Sequence, residues 1–257
     1  MTILTSVLLG AVIGILLGLL GGGGSILAVP GLVYGLGLPL GQAVPMSLLV
    51  VGVAAMVGAV PKMRSGLVQW RIAGVFAVTG LPAAFAGSAA NRFLPPSLTL
   101  AGFAVVMVAA GARMLASEDG IGTACRADGS TVNWRRCTSR AVPVGLGVGF
   151  LTGLFGVGGG FLIVPALVLL LGIEMSVAIG TSLVIVTANS ASGLLAYLGD
   201  LSLDWRATAA FAATAVGGSL VAGRYGQRVD VARSQRWFAF LIFAVAAFVL
   251  VDVIVVR

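Results

Sequence analysis

The sequence predicts an all-α, polytopic membrane protein made of two inverted repeats, each with a glycine-broken hairpin and three transmembrane helices. Composition is the first reason: of 257 residues, 59% are hydrophobic and 9% are charged, with a mean hydropathy of +1.13. Soluble domains carry about 25% charged residues, which help to cover a water-facing surface. An internal duplication and a one-sided distribution of basic residues are the other two reasons. A chain this apolar is expected to lie in a lipid bilayer.

The two halves of the chain align without gaps at an offset of 135 residues. Segment 18–30 matches 153–165, and Trp70-Arg71 matches Trp205-Arg206. About one position in three is identical between the two halves over the best-matching stretch, well above chance for this composition. We therefore predict a first transmembrane repeat over 1–115, a polar linker over 116–141 and a second transmembrane repeat over 142–257.

Each half contains five hydrophobic segments. The last three of each half approach the length of about 20 residues needed to cross a bilayer. The first two are shorter and flank a glycine run, so they form one interrupted span, a re-entrant hairpin or two short crossings. The segments lie at 5–20, 25–38, 43–61, 72–90 and 97–115, and at 142–155, 161–173, 177–198, 207–223 and 237–256.

The basic residues distinguish between these topologies. If each glycine-broken pair is one crossing, the repeats are parallel and the Lys and Arg residues divide ten to five between the two sides. If each pair turns back or crosses twice, the repeats are inverted and the division is twelve to three. The positive-inside rule favours the larger asymmetry, which places both termini outside and the linker in the cytoplasm. Cys125 and Cys137 are then expected to be reduced thiols of a cytoplasmic-membrane protein.

Missing residue types narrow the chemistry. The chain has no histidine and two cysteines, which argues against histidine proton relays, Ser-His hydrolysis and a zinc site with its usual four or so ligands. We therefore predict no metal, no cofactor and no enzyme activity. The net charge of +7 fits basic loops beside an anionic leaflet, so the lipid bilayer and not nucleic acid is the expected partner. Lys62, Glu174, Asp200 and Asp204 lie near segment ends and are predicted to be solvated.

The glycine runs at 21–24 and 156–160 are candidate binding elements. Glycine leaves its backbone N–H groups uncovered, and a helix that starts after such a run offers its N-terminal dipole to an anion. Secondary transporters with inverted repeats and broken helices bind substrate near the membrane midplane in this way. Tight turns without a ligand are the alternative. A nucleotide-binding loop is excluded because no Lys-Ser/Thr follows the glycines and no strand precedes them.

Two copies of Gly-x-x-Gly-(Gly/Val)-Gly-Gly-x-x-x-x-Val-Pro, each near the start of one half, resemble the sulfite exporter TauE/SafE family. The resemblance covers the whole chain. It implies a secondary transporter that exports sulfite, an organosulfonate or a related small sulfur-containing anion. The second copy has Val157 in place of one glycine, and Gly160 stands where the first copy has Ser25. The two hairpins are therefore chemically unequal, and a two-fold symmetric site is not expected.

Polar residues in the third segment of each half complete the candidate site. Ser182, Asn189 and Ser192 share a helical face, and Asn189 is the strongest candidate because an unpaired carboxamide at membrane depth is unfavourable. Helix packing is an equally open alternative for Ser47, Ser190 and Ser192. The predicted substrate-binding residues are Gly21, Gly22, Gly23, Gly24, Ser25, Ser47, Gly156, Gly158, Gly159, Gly160, Thr181, Ser182 and Asn189.

Two glycine triads at four-residue spacing have a different interpretation. Each triad occupies one face of a helix, which predicts close helix packing and no ligand contact. The triads are Gly10, Gly14 and Gly18, and Gly145, Gly149 and Gly153.

Two other classes of function are alternatives. One is a membrane-embedded hydrolase with a buried serine, which the lack of histidine and of a mid-span acid disfavours. The other is a non-transporting scaffold or regulatory subunit that docks partners through the linker. A homo-oligomer is compatible with each reading. Coupling to protons or sodium, and uniport, stay open because no intramembrane carboxylate stands out.

Overall fold

The computed structural model describes residues 2–20, 24–25, 27–91, 93–116, 134–155, 160–195, 205–226 and 236–247. Throughout these residues the regular secondary structure is helical and no strand occurs, so the predicted all-α class is confirmed. A π-helical turn, Ala166–Leu170, extends the seventh helix. The helices are α1 (Thr2–Leu20), α2 (Ala28–Leu36), α3 (Leu40–Arg64), α4 (Trp70–Asn91), α5 (Pro96–Ala116), α6 (Trp134–Phe155), α7 (Gly160–Pro165), α8 (Met175–Leu195), α9 (Trp205–Gly226) and α10 (Arg236–Ala247).

Among the described residues, three helices are long and apolar enough to cross a membrane by length and composition. The spans are Gln42–Arg64, Trp70–Asn91 and Met175–Leu195. Shorter apolar helical stretches occupy Thr5–Leu19, Gly102–Ala116, Gly160–Leu170 and Arg236–Ala247. Large apolar side chains such as Leu8, Val78 and Val221 point outward from the helices, as expected for a surface in contact with lipid tails. The described helices therefore fit a membrane protein.

The two halves repeat the same helix boundaries. α3 and α4 begin at Leu40 and Trp70, and α8 and α9 begin at Met175 and Trp205, so both starts are related by the 135-residue offset. Positions 37 and 172, related by the same offset, are glycines with φ of 67° and 69°. This left-handed conformation ends a helix without strain only at glycine. The duplication seen in the sequence is therefore also present in the structure, in the starts of two pairs of helices and in the glycine that follows a helix in each half.

α1 and α2 form a hairpin across the first glycine run. A Cβ atom added to Gly24 would lie 2.7 Å from the backbone nitrogen of Leu17, near the end of α1. One added to Gly35 would lie 2.6 Å from Cδ1 of Leu9, two turns earlier in α1. Contacts therefore move back along α1 as the chain advances, and α2 runs antiparallel to α1. One continuous interrupted span is excluded for this pair.

The glycine triads of α1 and α6 pack against helices of the opposite repeat. A Cβ on Gly14 would overlap the carbonyl of Ala215 in α9, and a Cβ on Gly149 would overlap the carbonyl of Gly80 in α4. The two contacts are equivalent at the 135-residue offset, and such reciprocal contacts are typical of two-fold related units. The predicted close packing of both triads is confirmed. The other pairs are Gly10–Thr214, Gly18–Ser219, Gly145–Thr79 and Gly153–Ala84.

α3 and α8 pack against each other and run in opposite directions. Gly52 of α3 lies against Ser190 of α8, and Gly58 lies against Leu183. Along this contact, residue numbers therefore rise in α3 while they fall in α8, which means that the two helices are antiparallel. Along α1 and α9, by contrast, the glycine contacts ascend together, so those two helices run in the same direction.

The expected solvation of Lys62 is wrong. Its side chain is 3% exposed, because α8 packs against the C-terminal end of α3 and covers it. Position near the end of an apolar segment did not reveal this, since the neighbouring helix that covers the residue comes from the other repeat. Glu174 is exposed, as predicted, while Asp200 and Asp204 lie outside the described residues.

The expected reduced state of Cys137 is also wrong. Cys137 is fully buried and disulfide-bonded. The expectation rested on a cytoplasmic linker, a compartment in which thiols usually stay reduced, whereas Cys137 lies buried in the first turn of α6, which begins at Trp134. Cys125 lies outside the described residues.

Candidate substrate-binding cavity

A cavity of about 290 Å³ lies between the two halves of the protein. Most of its wall comes from α3 and α4 of the first half and from α6 and α8 of the second. Val29 of α2 and Ser25, directly after the first glycine run, also contribute. The lining residues are Ser25, Val29, Val44, Ser47, Leu48, Val51, Leu81, Ala84, Phe85, Ser88, Thr152, Gly153, Asn189, Ser190, Ser192 and Gly193.

Among the described residues that line this wall, the polar side chains are hydroxyl groups and one carboxamide, and none is charged. Ser47 and Ser88 donate their hydroxyls to carbonyls of their own helices, at 2.8 and 2.9 Å. The hydroxyls of Thr152, Ser190 and Ser192 make no hydrogen bond within the described part of the chain. Their protons are therefore available to a ligand, and the wall can supply several donors without a formal positive charge.

Asn189 carries the clearest sign of an unfilled polar contact. Its Oδ1 atom is buried and has no hydrogen-bond partner among the described residues. A buried polar group left in this way is unfavourable by about 1–3 kcal/mol, so such groups are uncommon. The nitrogen of the same carboxamide carries two N–H groups that can donate hydrogen bonds. An anion in the cavity would accept hydrogen bonds from those N–H groups.

Prolines interrupt the backbone hydrogen bonding beside the cavity. Pro45 lies inside α3 and Pro82 inside α4, and each follows a residue that lines the cavity, Val44 and Leu81. A proline within a helix removes an N–H donor, and the carbonyl four residues earlier loses its usual partner. Membrane helices tolerate such breaks where side chains or a hydrated cavity replace the lost bond. The prolines are therefore consistent with a hydrated cavity at this point.

Three predicted site residues come together in the cavity: Ser25, Ser47 and Asn189. Ser25 and Ser47 come from the first half of the chain and Asn189 from the second. Gly24 and Gly160 are buried and do not line the cavity. The remaining predicted glycines, which lie outside the described residues, are Gly21, Gly22, Gly23, Gly156, Gly158 and Gly159.

Thr181 and Ser182 lie nearer the N-terminus of α8, away from the cavity. The Thr181 hydroxyl accepts the backbone N–H of Gln69 at 3.1 Å, which ties α8 to the start of α4. The Ser182 hydroxyl donates to the carbonyl of Ile179 at 2.9 Å. Neither residue lines the cavity in this structure, and their assignment to the substrate site stays a prediction.

The cavity also contains residues that sequence reasoning missed or assigned to packing. Ser88 and Thr152 are isolated hydroxyl residues within the apolar C-terminal parts of α4 and α6, and an isolated hydroxyl in an apolar stretch gives no signal of a shared site. Ser190 and Ser192 were open between packing and substrate contact, and both line the cavity. A search for hydroxyl residues near the end of a helix that also contains a proline would have selected Ser88, because Pro82 lies six residues earlier in α4.

Sequence comparison connects this architecture with known proteins. Residues 6–249 match the profile of the family described as sulfite exporter TauE/SafE. The chain belongs to this family. A relative from Xylella fastidiosa (strain Temecula1), named probable membrane transporter protein, is 33% identical over 244 residues, which cover 94% of this chain and 92% of the relative. YdhB of Bacillus subtilis (strain 168), also named a probable membrane transporter protein, is 25% identical over 196 residues, 75% of this chain and 78% of its own.

No solved structure matches this TauE/SafE protein. Its family and its relatives' names place it among membrane transporters, as the doubled glycine motif predicted.

The cavity of this TauE/SafE protein has no open equivalent in the described residues at the positions related by the 135-residue offset. Leu48 and Thr152 line the cavity, whereas their equivalents Leu183 and Leu17 are 0% exposed. Leucine is larger than threonine and fills part of the space at the second location. The duplicated fold is therefore open on one side and packed on the other.

A hydrogen bond accompanies the packed arrangement. Ser219 of α9 donates its hydroxyl to the carbonyl of Ala54 in α3 at 3.1 Å, and both residues are fully buried. The equivalent positions on the other side are Ala84 and Asn189, which line the cavity. Alanine has no hydroxyl, so the corresponding bond is missing there. A sequence difference at two positions thus distinguishes the packed side from the open one.

Ser219→Ala is expected to loosen the contact between α9 and α3. Loss of one buried hydrogen bond should lower the free energy of unfolding by about 1 kcal/mol, which lowers the melting temperature of the purified protein. Ser88→Ala is the control, because that exposed hydroxyl bonds within its own helix. Equal melting temperatures for both variants would contradict a closing role for Ser219.

Proposed function

We propose that this protein is a secondary transporter that exports a small sulfur-containing anion, such as sulfite or an organosulfonate, across the cytoplasmic membrane. The description of the family supports the substrate class, and the names of the relatives support membrane transport. The observation that carries the proposal is the cavity in which Ser25, Ser47 and Asn189 meet. Residues from both repeats are needed to form it, as in transporters whose substrate site lies between repeats.

The size and chemistry of the cavity suit a small oxyanion. A water molecule occupies about 30 Å³ of liquid, so a cavity of about 290 Å³ holds a small anion together with several waters. Hydroxyl and amide N–H groups can donate hydrogen bonds to anion oxygens. Apolar residues such as Val51 and Phe85 complete the wall and limit competition from bulk water. A site without a fixed positive charge also releases an anion more readily, which a transport cycle requires.

We infer that the two repeats are inverted in the membrane. α3 and α8 are equivalent helices and run in opposite directions, which supports a two-fold axis perpendicular to them and parallel to the membrane. Because α1 and α2 run antiparallel, they count as two segments, and this supports an odd number of segments in each repeat, as inversion requires. Lys62 and Arg64 lie at the end of α3 and Arg71 at the start of α4, so we assign this end to the cytoplasm. A disulfide at Cys137 is unusual for that compartment, and the assignment rests on the basic residues.

The difference between the open cavity and its packed equivalent supports transport by alternating access. Two equivalent packing arrangements are available to inverted repeats, and exchanging them opens the site to the other side. In the present state the residues around Asn189 line an open cavity, and those around Ser219 are packed against each other. The anion would bind in the cavity and leave after the exchange.

The test is flux of radiolabelled sulfite in proteoliposomes that contain the purified protein. Ala84→Leu is expected to lower the flux by about tenfold or more, because three additional carbon atoms occupy a cavity that must hold the substrate. Val78→Leu is the matched control on the same helix, since Val78 is exposed on the outer surface. Absence of sulfite or sulfonate flux in the wild type would contradict the proposed substrate class. Full flux by Ala84→Leu would contradict the proposed site.

A further inference from the structure

Lys62 is a buried cation for which the described residues provide no counter-ion. Its side chain is 3% exposed, and its ammonium forms no ion pair or hydrogen bond with the described part of the chain. Glu174 is the acidic residue in that part; it is exposed and accepts a hydrogen bond from Ser176 at 2.8 Å. Removing a charge from water without pairing it is strongly unfavourable. Because such a lysine is unfavourable for stability, its presence calls for a function that it could serve.

The surroundings of Lys62 contain a second unpaired polar atom. A Cβ on Gly180 of α8 would lie 3.2 Å from the Lys62 Cβ and would overlap the carbonyl of Leu67. The adjacent Thr181 accepts the N–H of Gln69, whose side-chain Oε1 atom is buried and has no hydrogen-bond partner among the described residues. The α3–α4 turn and α8 therefore enclose a polar region at the basic end of the bundle.

This region borders the packed equivalent of the cavity. Val44 and Ser47 line the cavity, and the 135-residue offset relates them to Ile179 and Ser182. Gly180, which contacts Lys62, lies between those two residues in the sequence. Lys62 therefore lies beside the residues that would line an equivalent binding site if the packed side opened. The described wall of the open cavity, by contrast, contains no charged residue.

We propose that Lys62 binds the transported anion on the second side of the pathway, when that side opens. This inference rests on the proposed function and adds a residue and a step to it. An ammonium group donates charge-assisted hydrogen bonds to anion oxygens, and the anion supplies the counter-ion that the described protein lacks. Binding on this side is thus electrostatic, whereas binding in the open cavity depends on neutral donors.

Sulfite transport by Lys62→Met in proteoliposomes tests the inference. We expect flux to fall by about tenfold or more, the usual effect of losing one charge-assisted hydrogen bond. The sulfite concentration for half-maximal flux should rise when substrate is added on the Lys62 side and stay unchanged on the other side. The melting temperature should stay equal or rise, because methionine removes an uncompensated buried charge. Arg64→Met is the matched control two residues later: Arg64 is exposed, so its flux should stay within about twofold.

The possible outcomes separate this inference from the proposed function. If the wild type transports sulfite and Lys62→Met does so equally well, the inference is wrong and the proposed function stands. If Lys62→Met lowers the melting temperature together with the flux, or affects both sides alike, Lys62 has a structural role and the inference is again overturned. If the wild type transports no sulfite or sulfonate, the proposed function fails, and the inference fails with it.

Discussion

Gly149→Leu is expected to prevent stable folding. An added Cβ overlaps the carbonyl of Gly80 and lies 2.6 Å from the Gly80 Cα atom. These are backbone atoms, which cannot move aside as the end of a flexible side chain can, so α4 and α6 would have to separate. Overpacking of this severity should lower the free energy of unfolding by about 3 kcal/mol or more. The purified variant should be obtained in low yield, with a much lower melting temperature than the wild type.

Gly147 provides the matched control for this experiment. It lies two residues earlier on α6, and nothing lies within 4 Å of a Cβ added there, so Gly147→Leu is expected to fold normally. Gly14→Leu tests the equivalence of the repeats, because its Cβ overlaps the carbonyl of Ala215 in α9. If Gly149→Leu and Gly14→Leu both melted like the wild type, the reciprocal packing of the repeats would be wrong.

Asn189→Leu is expected to abolish most transport while leaving the fold intact. The Oδ1 atom of Asn189 has no protein partner among the described residues, so replacement by leucine breaks no known hydrogen bond. The apolar leucine side chain is also compatible with the buried surroundings of that atom. A hydrogen bond to a charged group contributes about 1.5–3 kcal/mol, which corresponds to about 10- to 150-fold in binding. Because leucine also withdraws a polar group from the cavity, we expect sulfite flux to fall by about 100-fold.

The measurement pairs sulfite flux in proteoliposomes with the melting temperature of the same preparation. Thr187→Val is the control on α8: its hydroxyl donates to the carbonyl of Leu183 at 2.8 Å, and it does not line the cavity. That variant should keep its flux. An Asn189→Leu protein that transports normally would remove Asn189 from the site, and one that melts far below the wild type would show a structural role instead.

Sequence reasoning predicted the helices well because the duplication supplies two versions of each. Leu40 and Met175 begin equivalent helices although the residues differ, since hydrophobic length and flanking glycine fix the boundary. The glycine triads predicted close packing, and this is confirmed. The helices that pack on these triads were not predictable. Glycines at four-residue spacing show that one face of a helix lacks side chains, but they do not show which other helix packs on that face. The pairing of α1 with α9 depends on the arrangement of the whole bundle.

The candidate site could be predicted where a polar residue is unusual for its depth. Asn189 fits that criterion, and Ser25 and Ser47 were found through their place in the duplicated segments. Thr152 was missed because a single hydroxyl within the apolar C-terminal part of α6 is ordinary. Lys62 was assigned to solvent because distance from a segment end measures depth along one helix, whereas its burial depends on α8.

The pairing of α1 with α9 also has a consequence for how the chain is assembled during its synthesis. Gly14 and its contact Ala215 are about 200 residues apart, and translation adds about 5–20 residues per second. The glycine face of α1 therefore waits about 10–40 s in the bilayer before its partner exists. α4 and α6 are close in the chain and can join much earlier. α1 is thus among the last of the described helices to reach its final packing, although it is made before the others, and it depends on lipid or the insertion machinery to cover it until then.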